Sequence, residues 1–533
     1  MPELQGEVVV SHPDRPGPAA ESGLAAGRAL AGAGGVALVA AIYAAALLAL
    51  KPGYPASADN HYHFSVGREI AHGTWVPDVA RGLPLTVLRE MPVDHYWGYH
   101  VLLAPFGLAS DPQFGMDAAT VVLFAGVCVA VYLFLRARRV SYAWAWALAP
   151  MLLSTQDWRF MQLRGGQLIV PLLFAMTQTF FEPRLVRRSV VLLFVGYVAM
   201  LSYHGGIVLL PFHLGGMAAL AALRPSECRG RLLDPLVTAA GLALGLTVNP
   251  YMDARASTWR FAALHIGEMG RDAAHLYDDQ EIAEFHGFPA SVLTSHPEWL
   301  LFLCAVLLAV ASVAWRARRE ATPVGTDAIV LSGMALTGIA LTAQAMRTRE
   351  YSVPVAFSLL AVLAPRRPPT WTGTGLTSAL LGLTFVSHGR ATLALLPTHL
   401  PTRQYEGARR LLEANGDRPI LNVAEADYAM LRFQYGLVVC VQGLSRYFIY
   451  PYKDLFHDVW EIHDHADTSA EIPAILRRFW DRGVRLVAVH RTHRMMRFAD
   501  AHPRMLRLVF RSEINGASIY AIDRAGLEDE GAK

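Results

Sequence analysis

The run Ala58-Asp59-Asn60-His61-Tyr62-His63-Phe64-Ser65-Val66-Gly67-Arg68-Glu69-Ile70-Ala71-His72-Gly73 follows the first long apolar segment of the chain. An acidic residue stands at the exit of a hydrophobic helix, and the helix-like stretch after it stops at a glycine. The same loop carries Asp78, Asp94, His95 and His100. An inert connection has no need of so many titratable groups beside a membrane. Asp59 is therefore expected near the membrane surface, on a rigid element.

The rest of the chain supplies the membrane. Of its 533 residues, 53% are hydrophobic and only 17% charged, and several segments approach the roughly 20 apolar residues that a crossing needs. Soluble and nucleic-acid-binding classes are set aside, because the net charge of +3 comes from arginines distributed by topology. Cys128, Cys228, Cys304 and Cys440 are too scattered for a disulfide framework or a zinc cluster. The first apolar run, Ala29 to Leu50, is longer than the core of a signal peptide and is read as a retained helix after a disordered cytoplasmic tail, residues 1–28.

Further spans are expected at about Gly115 to Leu135, Val140 to Thr155, Gln167 to Phe181, Ser189 to Tyr203, Gly205 to Leu223, Leu232 to Tyr251, Pro297 to Trp315, Asp327 to Ala345, Tyr351 to Ala364 and Gly375 to Leu395. With the first they make about eleven. Every second connection is basic: Arg136, Arg138 and Arg139, then Arg184, Arg187 and Arg188, then Arg224, Arg229 and Arg231. Arg316, Arg318 and Arg319 continue the series, followed by Arg366 and Arg367. By the positive-inside bias these connections are cytoplasmic. The large loops at residues 51–114 and 252–296, and the C-terminus, then lie on the other side. Gly98 to Leu108 is too short to cross and reads as interfacial or re-entrant.

After Pro397 the composition changes to that of a soluble α/β domain, residues 397–533. Strands are expected at Pro419 to Glu425 and Arg485 to His490, with a helix at Ile472 to Arg482. Two more, Leu506 to Glu513 and Ser518 to Asp523, flank the hairpin signal Asn515-Gly516. No glycine-rich phosphate loop or nucleophile elbow is present. The domain is expected to cover the membrane site or present an acceptor, and Glu425 and Asp427 at a strand end read either as acceptor contacts or as a turn cap.

An acidic residue in the first outer loop, a following helix of the form D-x3-H-x6-I-x2-G, then Pro77-Asp78 and Asp94-His95 resemble the GT-C superfamily of integral-membrane glycosyltransferases. Its members include protein mannosyltransferases and the oligosaccharyltransferase catalytic subunit. The resemblance implies transfer of a sugar from a polyprenyl-phosphate donor to a glycan, lipid or protein acceptor. A carboxylate near the surface would take the acceptor's proton as it attacks the anomeric carbon. Asp59 is the first candidate for that base, with Asp78 and Asp94 behind it.

The leaving phosphate needs cations, and arginine binds phosphate through a planar fork. Arg347 and Arg349, Arg159 and Arg164, and His204 are the candidates for substrate binding, with His61 and His63. No ligand motif is tight enough to demand a metal, although a divalent ion, Mg or Mn, held by Asp59 with His61 and His63 is one reading. The expectation is a bacterial inner-membrane glycosyltransferase with its site on the periplasmic face. A transporter or flippase of a lipid-linked glycan would carry charges within several spans. A non-catalytic envelope scaffold is the third reading.

Overall fold

The computed structural model describes residues 18–50, 58–90, 92–153, 156–251, 297–319, 324–345, 348–364, 405–436, 438–443, 449, 451–490, 493–513 and 516–530. Among them six helical segments are long and apolar enough to cross a membrane: Ala29–Leu50, Pro112–Ala137, Leu185–Ser202, His204–Leu223, Glu298–Arg318 and Thr326–Gln344. They belong to helices α1 (Pro18–Leu50), α4 (Pro112–Ala137), α8 (Leu185–Ser202), α9 (Leu209–Leu223, extended by a 3-10 turn from His204), α12 (Pro297–Arg318) and α13 (Thr326–Gln344).

The other expected spans are helical but shorter. They are α7 (Gly166–Thr179), α11 (Asp234–Thr247), α14 (Arg349–Leu363) and, between Val140 and Thr155, only α5 (Ala143–Leu148) with a 3-10 turn at Ala149–Leu152. A helix of 14 residues, such as α7, is about 21 Å long, short of the roughly 30 Å hydrocarbon layer. Left-handed backbone at Arg139 and Tyr142 ends α4 and delays α5, and Pro150 lies in the 3-10 turn. The run Gly375 to Leu395 lies outside the described residues. Among the described residues, ten of the eleven expected spans are thus helical, six of them long enough to cross.

The arginine-rich connections after α4, α7 and α9 meet at one end of the bundle; Arg366 and Arg367 lie outside the described residues. Arg138 lies over the ring of Phe181 at 3.6 Å and donates to Gln178 at 2.7 Å, tying the end of α4 to the end of α7. Arg188 on α8 is ion-paired with buried Asp234 on α11 at 2.8 Å. Arg231 donates to the carbonyl of Thr179, and Arg224 reaches Glu227 and Thr326. Charges read from the sequence as a topology signal also act here as a clamp across helix ends.

At the opposite end, α2 (Ala58–Ala71) crosses α3 (Trp97–Gly107), the short apolar segment expected at the interface. Glycines allow the approach. A Cβ on Gly107 would lie 2.7 Å from the Arg68 Cα, and one on Gly67 would lie 2.8 Å from the Leu103 Cβ. The first obstacle is backbone and cannot rotate away. Gly107→Ala is therefore expected to destabilise the protein by about 1–3 kcal/mol, read as a lower thermal midpoint in detergent; an unchanged midpoint would mean that α2 and α3 do not pack this closely.

The C-terminal unit forms a four-stranded sheet in the order β1-β2-β4-β3. Strands β1 (Ile420–Asn422) and β2 (Leu486–Val489) are parallel, while β4 (Ser518–Ile522) pairs antiparallel with both β2 and β3 (Leu506–Arg511). Each strand falls within its expected stretch, but the first ends at Asn422 and Glu425 opens a helix; Asn515 lies outside the described residues. The expected helix is present at Ile472–Asp481, burying Ile472, Ile475, Leu476 and Phe479 at helical spacing.

This unit sits on the first loop. Helix α16 (Glu425–Tyr435) lies against α2, where Arg432, fully buried, makes a fork to Glu69 with contacts of 2.7, 2.9 and 3.1 Å. Tyr62, Val66, Leu83 and Val87 of the loop share one apolar core with Tyr428, Leu431 and Ile519. Cys440 donates its N–H to the Gly82 carbonyl at 2.8 Å. Loop and C-terminal unit therefore fold as one body, a closer union than the separation at residue 397 implies. Asp427 is a cap: its Oδ2 accepts the Ala424 N–H at 3.2 Å and its Oδ1 the Tyr405 hydroxyl at 2.8 Å.

Candidate active site

Asp59 stands in the first turn of α2, where the helix dipole favours a negative charge. Its Oδ2 is 2.5 Å from Nε of Arg164, and both side chains keep some exposure. Beside it, Asn60 Oδ1 accepts the N–H of Leu163 at 2.8 Å. Two consecutive residues of α2 thus hold the turn between α6 (Gln156–Phe160) and α7.

That turn reaches the start of α14. Arg159 is buried, with Nε 3.5 Å from Glu350 Oε1 and Nη1 donating to Gln162 at 3.2 Å. Gly166 lets Glu350 in, since a Cβ there would meet its Oε2 at 2.6 Å. Gln167 accepts the Tyr99 hydroxyl at 2.8 Å and donates to the Phe160 carbonyl at 2.5 Å, joining α3 to the same junction. Glu350 was not singled out in the sequence; its only signal was an acid opening an apolar span directly after Arg349.

Arg349 turns toward a groove of about 230 Å³ between α12, α13 and α14. The walls include Trp299, Phe302, Val306 and Ile339, with Thr342 and Ser352 as polar neighbours. Arg349 itself is buried, and its guanidinium lies 5.8 Å from the Trp299 ring centre. An apolar channel ending on a buried cation suits a hydrocarbon chain with an anionic head.

A second cluster lies behind Asp59. His63, one turn further along α2, places Nδ1 2.8 Å from Nε2 of His100, whose Nδ1 is 2.5 Å from Asp94 Oδ2. All three are buried. Asp94 Oδ1 accepts the Tyr96 N–H at 2.9 Å, which fixes the carboxylate. Burial holds the hydroxyls of Tyr62 and Tyr99 protonated well above the usual tyrosine range. His204 faces His95 and Tyr96 at ring distances of 6.1 and 5.6 Å.

The structure sorts the sequence candidates accordingly. Asp59 and Arg164 meet, and Arg159 and Arg349 are brought to the neighbouring junction at Glu350. His63 and Asp94 join the second cluster, with His204 beside it. Asp78 belongs to neither: it is exposed and caps a turn by accepting the Arg81 N–H at 3.0 Å. His61 turns to the C-terminal unit, edge-on to Phe433 at 4.9 Å. Asp59, His61 and His63 therefore do not converge as one ligand set, because α2 is helical and residues two apart diverge. Among the described residues no three such side chains are grouped to hold a metal. Arg347 lies outside the described residues.

No family model matches the chain, and no curated protein matches it in sequence. Its fold does have solved counterparts. The archaeal oligosaccharyltransferase AglB from Archaeoglobus fulgidus, solved in complex with an inhibitory peptide and a dolichol-phosphate, superposes with a TM-score of 0.54 at 11% identity. The match covers 92% of this chain and 74% of that one. The fold is therefore GT-C-like over nearly the whole length, the architecture expected from the first loop.

Proposed function

We propose that the protein is a membrane glycosyltransferase that moves a sugar from a polyprenyl-phosphate-linked donor to an envelope acceptor, whether lipid, glycan or protein. The site faces the periplasm of a bacterial inner membrane, with the arginine-rich end of the bundle in the cytoplasm. The observation that carries this reading is the continuity of the Asp59–Arg164 pair, the Arg159–Glu350 pair and the Arg349 groove at one end of the bundle. The dolichol-phosphate in the AglB complex supports a lipid-linked donor, and its inhibitory peptide supports a peptide or glycan acceptor in general.

In this reading the acceptor O–H or N–H attacks the anomeric carbon from the face opposite the phosphate, so the configuration inverts. Asp59 takes the acceptor's proton, the bond from the anomeric carbon to the phosphate oxygen breaks, and lipid phosphate leaves as an anion. Arg164 orients the Asp59 carboxylate, while Arg349 holds the donor's phosphate about equally in the ground state and the transition state. The C-terminal unit, fixed to α2 through Arg432, covers the site and shapes the acceptor entrance.

Arg349→Ala is expected to raise the KM for donor by about tenfold with a smaller change in kcat, the pattern of a lost binding contact. A photoactivatable polyprenyl phosphate should label the groove at Trp299 or Phe302, and labelling should fall in the same variant. Labelling confined to another surface, with donor KM unchanged in Arg349→Ala, would remove the groove from the account.

A further inference from the structure

The transfer step leaves one built arrangement unused. Asp94, His100 and His63 form a continuous buried line, with links of 2.5 and 2.8 Å, walled by the rings of Tyr62, Tyr96 and Tyr99. At one end, His63 shares a helix face with Asp59 four residues earlier, the spacing at which side chains on a helix are neighbours, with Cβ atoms about 5–6 Å apart. At the other end, Asp94 lines a small cleft together with His95, His204 and Asn249. That cleft has about 20 Å³ of space, room for one water.

We propose that this line is a proton relay that clears Asp59 after each transfer and discharges into the cleft beside His95 and His204. It rests on the reading of Asp59 as the group that takes the acceptor's proton. With Asp94 as the anion, His100 donates Nδ1–H to it and presents the Nε2 lone pair to His63, which donates its own Nδ1–H. His63 then carries its lone pair on Nε2.

The proton on the Asp59 carboxyl passes to His63 Nε2. The Nδ1 proton of His63 moves to His100 Nε2, and the Nδ1 proton of His100 moves to Asp94 Oδ2. Asp94 releases it to water in the cleft. One proton enters, one leaves and no electrons move; each ring is left with its proton on Nε2 and regains the starting tautomer by taking a proton from water at Nδ1 and giving the one on Nε2 back to water. His100 and His63 act through Asp59 in this scheme and do not touch the sugar.

A purely structural role would use the same hydrogen bonds to hold α2 on α3, so the test must separate the two. Purified full-length wild type, Asp59→Asn, His100→Ala, His63→Gln and Asp94→Asn are compared for polyprenyl phosphate release, each with its thermal midpoint. His100→Ala is expected to lose about 10²-fold in kcat with donor KM unchanged. Free imidazole, which fits the vacated space, should restore much of that loss in a concentration-dependent way. Asp94→Asn keeps the side-chain volume and guards against a folding failure at His100; it should slow turnover and enlarge the solvent deuterium isotope effect.

Wild-type turnover in His63→Gln, or a folded His100→Ala protein whose loss imidazole does not touch, overturns the relay and leaves the transferase reading standing. A folded wild type that releases no polyprenyl phosphate from any donor overturns both.

Discussion

Asp59→Asn is expected to abolish sugar transfer, with a loss of at least about 10²–10⁴-fold in kcat, while the protein still inserts and folds, with a thermal midpoint within a few degrees of wild type. The substitution keeps the shape of the side chain and an oxygen for Arg164, now 2.5 Å from the carboxylate. What it removes is a group able to accept a proton. Since the side chain retains exposure at the mouth of the bundle, losing the charge opposite Arg164 and at the start of α2 is expected to cost only about 1 kcal/mol. Kinetics on a labelled donor, set beside melting curves, check both halves. Turnover within about threefold of wild type would remove the proposed base and leave Glu350 as the nearest remaining carboxylate of the junction.

Arg432→Ala is expected to cost about 3 kcal/mol and to lower turnover by loosening α2. The guanidinium is fully buried, forks onto Glu69 and donates to the Tyr428 hydroxyl at 2.7 Å. Truncating one partner of such a pair leaves the other without its counter-charge, a loss of about 3–5 kcal/mol when both are buried. Glu69 keeps 26% side-chain exposure, which places the cost at the lower end. Lysine at this position should not restore stability, because a point charge cannot reproduce the bidentate fork. Limited proteolysis and hydrogen exchange should show the C-terminal unit separating from α2, with faster exchange along residues 58–71. Wild-type exchange there in Arg432→Ala would mean that the apolar core around Tyr62 and Tyr428 suffices to hold the two together.

The sequence was most legible where local chemistry decides structure. The four strands follow from short apolar runs bounded by turn residues, and the basic connections after α4, α7 and α9 meet at one end of the bundle. Span length was less legible: hydropathy records apolar content, but not that Tyr142 adopts a left-handed backbone or that Pro150 tightens the chain, so the run from Val140 became two short pieces. The site was legible as residue types and not as partnerships. Asp59 and Arg164 were each conspicuous, but their pairing depends on the turn after α6 folding back onto α2. Asp78 looked equivalent to Asp59, yet its neighbour Arg81 supplies a backbone N–H and makes it a turn cap. Arg432 gave no signal, because nothing local tells that α16 packs on a loop more than 300 residues away, as the 363-residue separation of its bond to Glu69 records.

The most direct test of the central claim is release of free polyprenyl phosphate from a panel of labelled polyprenyl-phosphate sugars, by purified protein with a membrane extract as acceptor source. Release from at least one donor is expected, with appearance of the sugar on an extract component and loss of both in Asp59→Asn. Folded protein that releases lipid phosphate from none of the donors, yet moves a lipid-linked glycan across a vesicle membrane, would contradict it and make the chain a transporter on a GT-C-like fold.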